Sequence, residues 1–376
     1  MRGSRAVRLA VAVTTLASVL IGLSGPALAD VPSEEPIGKI TQFPVPGRSA
    51  SPFLNRITLG PDGNLWYTEG GTNMIGRMTP NGTFTRFPIP TKGSSPIDIT
   101  VGPDGALWFT EFIGQIGRIT TNGKITEFPV PGGVSGGLFG ITNGGNGSLY
   151  FVVNCCGRPD GAIGRITTGG KVTLYPVLAG TSPTVGITRG QDGNIWFPTT
   201  NVQCDDPNAA CFDRFASGIE RMTPNGRVNG YFSIPTPFAD PSRIIPGPDN
   251  SLWFTEQGAV HGHPAPGKIG KITLDGTITE YTTPTPFSNP AGITVGGDGN
   301  LWFTEYSFQN PDGTTHGGNN IGRLDPQTGV ITEFPIPLQF ARADGITTGP
   351  DGDGYFVETP PRPGGPGGAI GRVEIV

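Results

Sequence analysis

Leu107-Trp108-Phe109-Thr110-Glu111, then Ile116-Gly117-Arg118-Ile119-Thr120, then Ile125-Thr126-Glu127-Phe128-Pro129-Val130-Pro131 is one copy of a phrase that recurs seven times and fills nearly the whole chain. Its three runs are short, rich in β-branched and aromatic residues, and close to period-2 alternation, so each reads as a strand. A fourth run of the Gly140-Ile141-Thr142 or Gly292-Ile293-Thr294 type precedes each copy. Four short strands in a repeat of this length make a propeller blade. The anchoring aromatic falls at Trp66, Trp108, Tyr150, Trp196, Trp253, Trp302 and Tyr355, which uses every tryptophan in the protein. The reading is all-β, a seven-bladed β-propeller of four-stranded blades spanning residues 30–376 as a single domain.

Turn chemistry has the same period. Between the first and second strands stand Asp62-Gly63, Asp104-Gly105, Asn146-Gly147, Asp192-Gly193, Asp249-Asn250, Asp298-Gly299 and Asp351-Gly352. Between the third and fourth stand Asn81-Gly82, Asn122-Gly123, Gly169-Gly170, Asn225-Gly226, Asp275-Gly276 and Thr328-Gly329. Such pairs suit tight hairpins because both residues tolerate positive φ. The seventh repeat stops after Ile370-Gly371-Arg372-Val373, and its missing fourth strand is found at the other end, as Lys39-Ile40-Thr41-Gln42-Phe43-Pro44-Val45-Pro46. The N-terminal strand is expected to complete the last blade and clasp the ring, leaving no full-length sheet edge unpaired.

Residues 1–29 read as a leader to be removed: Arg2, Arg5 and Arg8, an apolar stretch from Leu9 to Leu23, and the small-residue motif Ala27-Leu28-Ala29. An exported, secreted or extracytoplasmic monomer is expected, with no membrane span after cleavage. The chain carries 25 basic and 30 acidic side chains and no basic stripe, which argues against nucleic acid as a partner. Cys155, Cys156, Cys204 and Cys211 suit an oxidising compartment. Cys204 with Cys211 would close one short loop beside a vicinal Cys155-Cys156 pair; alternatively the two loops are cross-linked.

Both sets of tight turns lie on one face of the ring. The other face holds the connection after L-W-F-T-E and the connection between blades, where insertions occur and where binding and catalysis usually sit. All four cysteines and His261, His263 and His316 fall in these loops. His261 and His263 with Glu256, and His316 from the next blade, form a candidate metal set. Glu69, Glu111, Glu256, Glu305 and Glu358 close the L-W-F-T-E run in five blades, a repetition that points to a structural task such as accepting backbone hydrogen bonds.

The blade wording, in Leu107–Glu111, Ile116–Thr120 and Ile125–Pro129, closely resembles the virginiamycin B lyases (streptogramin lyases) over about residues 36–376. The resemblance implies a seven-bladed propeller that opens the lactone of a cyclic depsipeptide by elimination, using Mg2+ and a histidine base. In that family two histidines begin the first strands of blades 6 and 7. Here Ala291 and Asp344 stand in those places. Arg342 stands where the family has a metal-binding glutamate two residues before the base, and Glu358 lies one position from the second such glutamate. The resemblance thus leaves Asp344 and Glu358 as candidate catalytic residues and lyase chemistry by the family's mechanism unexpected. Around the channel mouth the equivalent position reads Asn55, Ile97, Phe139, Val185, Ser242, Ala291, Asp344, followed by Arg56, Asp98 and Arg243 where other blades have glycine. Asn55, Arg56, Asp98, Phe139, Ser242, Arg243 and Ala291 form the candidate pocket for a small molecule, cyclic peptide or glycan. Asp98 and Asp344 can alternatively pair with Arg56 or Arg243 as structural bridges. Two functions follow: a diverged enzyme acting on another ester, lactone or glycan, or a non-catalytic propeller that binds a ligand or surface partner.

Overall fold

The structure, a computed structural model, describes residues 37–47, 53–132, 134, 136–154, 161–201, 217–258, 266–306, 308–309, 315–338, 342–359 and 368–375. Seven antiparallel sheets are arranged as the blades of one β-propeller. Blade 1 runs Leu54–Leu59, Leu65–Glu69, Met74–Met78 and Phe84–Pro88, and the others repeat this order. The first strand of each blade lines the central channel and the fourth lies at the rim. The last blade is closed as the sequence implied: Ile40–Pro44 pairs antiparallel with Ala369–Val373, Ile40 opposite Val373 and Pro44 opposite Ala369. Gly38 and Val45 extend the clasp by donating to the carbonyls of Glu374 and Gly368 at 2.7 and 2.8 Å. Val45 then packs with Leu54, Tyr67, Tyr355, Val357 and Ile370, a cluster shared by blades 1 and 7.

The second strand is buried along its whole length in every L-W-F-T-E blade, because both its faces meet a neighbouring blade. Its tryptophan stacks on the aromatic of its own fourth strand, at 5.4 Å for Trp66–Phe87 and 5.5 Å for Trp302–Phe334. Full burial of such a ring stabilises the fold by roughly 2–3 kcal/mol. The third-strand glycine makes room for the neighbouring phenylalanine: a Cβ on Gly117 would lie 2.0 Å from the Phe109 ring. Gly123, at φ +87°, closes its hairpin and receives Phe87 of the preceding blade. All thirteen predicted turns have a positive-φ residue at the expected place, Asn250 serving at φ 62° in blade 5.

Two departures from the expected pattern occur. In blade 4 the first strand is broken into Thr181–Pro183 and Thr188–Arg189, both paired with Ile195–Asn201, so the Val185-Gly186-Ile187 run does not extend as a strand. The blade 6 insertion contains a two-stranded ribbon, Phe308–Gln309 with Thr315–His316. Among the described residues no helix is long and apolar enough to cross a membrane. The expected leader, residues 1–29, and all four cysteines lie outside the described residues.

Candidate active site at the channel mouth

A backbone irregularity shared by six blades builds the mouth. In blade 1 Leu54 pairs with Glu69 and Ile57 with Tyr67, so Asn55 and Arg56 together oppose Thr68. The same β-bulge holds Ile97-Asp98, Phe139-Gly140, Ser242-Arg243, Ala291-Gly292 and Asp344-Gly345. A bulge adds one residue to a strand and re-aims its side chains, so consecutive residues can serve the channel. The break in blade 4 falls at the equivalent place, around Val185. Threonines of the second strand secure the bulges. Thr68 Oγ1 accepts from Arg56 N at 3.1 Å and donates to Ile97 O of the next blade at 3.0 Å. Thr304 Oγ1 likewise accepts from Gly292 N at 2.9 Å and donates to Asp344 O at 2.6 Å. With Thr110 on Phe139 O and Thr255 on Ala291 O, four ring residues are thus anchored by a hydroxyl from the neighbouring blade.

The ring encloses a cavity of about 300 Å³, lined at all seven equivalent positions by Asn55, Ile97, Phe139, Val185, Ser242, Ala291 and Asp344. Arg56, Arg243, Arg342, Asp240, Gln257 and Tyr306 also line it. Blades 2 to 4 give it apolar walls, and blades 1, 5 and 7 give it charge. Asp344 is held on both oxygens: Arg56 Nη1 donates to Oδ1, and Arg342 Nη2 donates to Oδ2 at 3.3 Å. Arg342 also lies over the Tyr306 ring, 5.5 Å from its centroid. Arg243 crosses the channel and donates from Nη1 to Asp98 Oδ2 at 2.8 Å. Asp98 additionally accepts from Ile99 N and Ile141 N, at 2.9 and 3.1 Å. Burial pushes the Asp98 carboxyl up to about 6, against the pull of Arg56 and these two N–H groups. Burial pushes the Tyr306 hydroxyl up to about 12. Both aspartates thus take the ion-pair arrangement, with Arg342 as an added partner.

Glu358 sits apart from Asp344. It is fully buried, does not line the cavity, and accepts from Gln42 Nε2 of the N-terminal strand at 2.6 Å. Burial pushes it up to about 7. Asp98 is buried and is likewise absent from the lining. Glu256 is buried beside Glu280 and Lys268, and is raised well above the usual range by burial first and Glu280 second. His261 and His263 lie outside the described residues, and the His316 backbone pairs with Phe308 in the ribbon.

The repeated glutamates do a different structural job from the expected one. The linker N–H groups are accepted by the fourth-strand glutamates, from Thr91 by Glu127 at 3.2 Å and from Thr285 by Glu333 at 3.0 Å. The second-strand glutamates face these carboxyls from inside the blade. Glu111 is pushed up to about 8 by burial and then by Glu127, and Glu305 to about 8 by burial and Glu333. In blade 1 Arg86 replaces the second carboxyl and pairs with Glu69, donating from Nε at 2.9 Å. In blade 7 Gln42 takes the same place.

Sequence reading missed Tyr306, Asp240 and Gln257, and weighed Arg342 only as a lost ligand. A signal existed for two of them. The residue after T-E changes from blade to blade (Gly70, Phe112, Gln257, Tyr306), as expected of a position freed from the repeat.

Comparison with known proteins agrees with this architecture. The model of the virginiamycin B lyase family matches residues 29–206 and 202–375. A streptogramin B lyase structure is 30% identical, with a TM-score of 0.71, covering 90% of this chain and 98% of that one. A catalytically inactive histidine-to-alanine variant of virginiamycin B lyase from Staphylococcus aureus, solved with quinupristin, is 32% identical with a TM-score of 0.70, covering 90% and 99%. The virginiamycin B lyase of Bordetella parapertussis is 39% identical over 61 residues, 16% of this chain, and that match spans only 20% of the relative's length. With both halves of the chain matched by one family model and the ring of blades shared with its solved members, the chain belongs to the virginiamycin B lyase family.

Proposed function

We propose that this is an exported member of the family whose channel mouth binds a small ligand and has lost the histidine-dependent opening of depsipeptide lactones. The observation that carries this reading is the state of Asp344. It stands in the place of the family's base, yet each of its oxygens already accepts from an arginine. A general base needs a free acceptor within reach of the proton it removes. Ala291, in the other histidine position, has no group that transfers a proton.

The residues at the family's magnesium positions do not fit that ion. Arg342 brings a cation where a carboxylate is needed, and Glu358 is turned to Gln42. Among the described residues no three His, Cys, Asp or Glu side chains gather as a donor set. The leader motif and the four cysteines support export, which N-terminal sequencing of protein recovered from the culture medium checks; the chain should begin at Asp30.

The activity test incubates the protein with quinupristin, with and without Mg2+, and follows the linear product by chromatography and fragment mass spectra, because elimination leaves the mass unchanged. No linear product is expected. Enzyme-dependent linearisation would overturn the reading.

A further inference from the structure

We propose that the mouth is a receptor for a small oxyanion with an apolar body, a carboxylate or a phosphate ester, gripped by Arg342, Arg56 and Arg243. This rests on the reading that the mouth binds a small ligand, and it names the ligand's chemistry.

Three guanidinium groups from three blades line one cavity of about 300 Å³. Their protein partners use only part of each fork. Arg56 engages Asp344 and the Asn55 carbonyl through Nη1 alone. Arg243 engages Asp98 and the Val185 carbonyl through Nη1 alone. Arg342 engages Asp344 through Nη2, and its side chain remains 55% exposed. Among the described residues, no side chain or carbonyl accepts from Nη2 of Arg56 or Arg243, or from Nε and Nη1 of Arg342. Planar guanidinium donors match oxyanions in paired hydrogen bonds, and do so best where water is scarce. The facing carboxylates cannot repel an incoming anion as free charges would. Asp344 is shared by two arginines, and Asp98 by Arg243 and two backbone N–H groups. These ion pairs hold the guanidiniums in place before a ligand arrives, which reduces the ordering cost of binding. The same cavity carries an apolar wall of Ile97, Phe139 and Val185. A ligand with an anionic head and an apolar body satisfies both halves of the cavity; a neutral ligand leaves the arginines unmatched.

The test is calorimetric titration of the protein with phenylacetate, phenyl phosphate and the neutral isostere phenylacetamide. One of the two anions should bind at one equivalent, and whichever is tighter identifies the head group. Phenylacetamide should bind at least about tenfold more weakly, and Arg342→Ala should weaken the anion by about tenfold, the scale of a lost hydrogen bond to a charged group. Arg342→Ala should fold, since most of that side chain is exposed, and its thermal unfolding is recorded alongside. Equal affinity for acid and amide, no binding of either anion, or anion binding that Arg342→Ala leaves unchanged would each overturn the proposal. Those results leave the lost-lyase reading standing, because that reading falls only if quinupristin is linearised.

Discussion

The two faces of the ring obey different rules. On the turn face, blade after blade carries the same group. The turn aspartate accepts from the tryptophan indole N–H, at 2.9 Å for Asp104–Trp108 and 3.1 Å for Asp298–Trp302. A third-strand arginine or lysine bridges the same aspartate and lies over the ring, as Arg118 and Lys271 do. At the mouth the backbone is equally regular, with a bulge in six blades, yet the seven ring residues are all different. Repetition of residue and backbone together marks the parts that hold blades to one another. Repetition of backbone with divergence of residue marks a position released from holding the blades together, and it is there that we propose a ligand is recognised.

The largest expected effect lies where the ring is closed. Removing residues 37–46 deletes the fourth strand of blade 7 and takes Val45 from the cluster it shares with blade 1. The loss should exceed about 5 kcal/mol, enough to abolish cooperative unfolding in a protein of ordinary stability. A melting curve shifted by only a few degrees would mean that the ring does not depend on this clasp. Next, Trp302→Ala on the repeated side should cost about 3–5 kcal/mol in denaturant titration, and Trp108→Ala much the same, because the two rings have equivalent surroundings. Widely different losses would show that the blades are not equivalent in energy as they are in geometry.

A smaller effect follows from the buried carboxyls between second and fourth strands. Glu111 has its proton held up to about 8 in the folded chain, against an ordinary 4.5. A carboxyl raised on folding contributes stability below its unfolded value and loses that contribution as pH rises through its folded value. Stability should therefore fall as pH climbs from about 4.5 to 8, with Glu305 acting in the same window and Glu358 up to about 7. Glu111→Gln, which keeps the shape without the charge, should stabilise the protein by about 1–3 kcal/mol at pH 9 and change little at pH 5. Chemical denaturation at the two pH values checks this; an equal effect at both would show that the side chain is not protonated in the blade.

How far the sequence could be read depended on which kind of regularity a residue belonged to. Strands, turns and the N-terminal clasp were legible because their signals are local: alternation, Asp-Gly pairs and a repeat that stops one strand short. The ring residues were legible as equivalent positions within the repeat. The bulge that lets Arg56 and Arg243 line the cavity beside Asn55 and Ser242 was not legible, since register is a property of paired strands and leaves no residue of its own in one of them. Nor was the partnering of Glu111 with Glu127, which lie on strands separated by a third. Blade 4 broke the pattern for a related reason: its Gly186-Ile187-Thr188 wording matches the repeat, but only Thr188–Arg189 of that run pairs as a strand.

The division of labour between the two faces is tested most directly by comparing Arg342→Ala at the mouth with Arg323→Ala on the turn face, each titrated with phenylacetate and phenyl phosphate and then melted. Arg323 bridges Asp298 at 2.9 Å and lies over Trp302, so its loss should lower the melting temperature and leave anion affinity intact. Arg342→Ala should weaken the anion about tenfold while changing stability by less than about 0.5 kcal/mol. A mouth variant that unfolds the protein without altering affinity, or a turn-face variant that abolishes binding in a folded protein, would contradict the account.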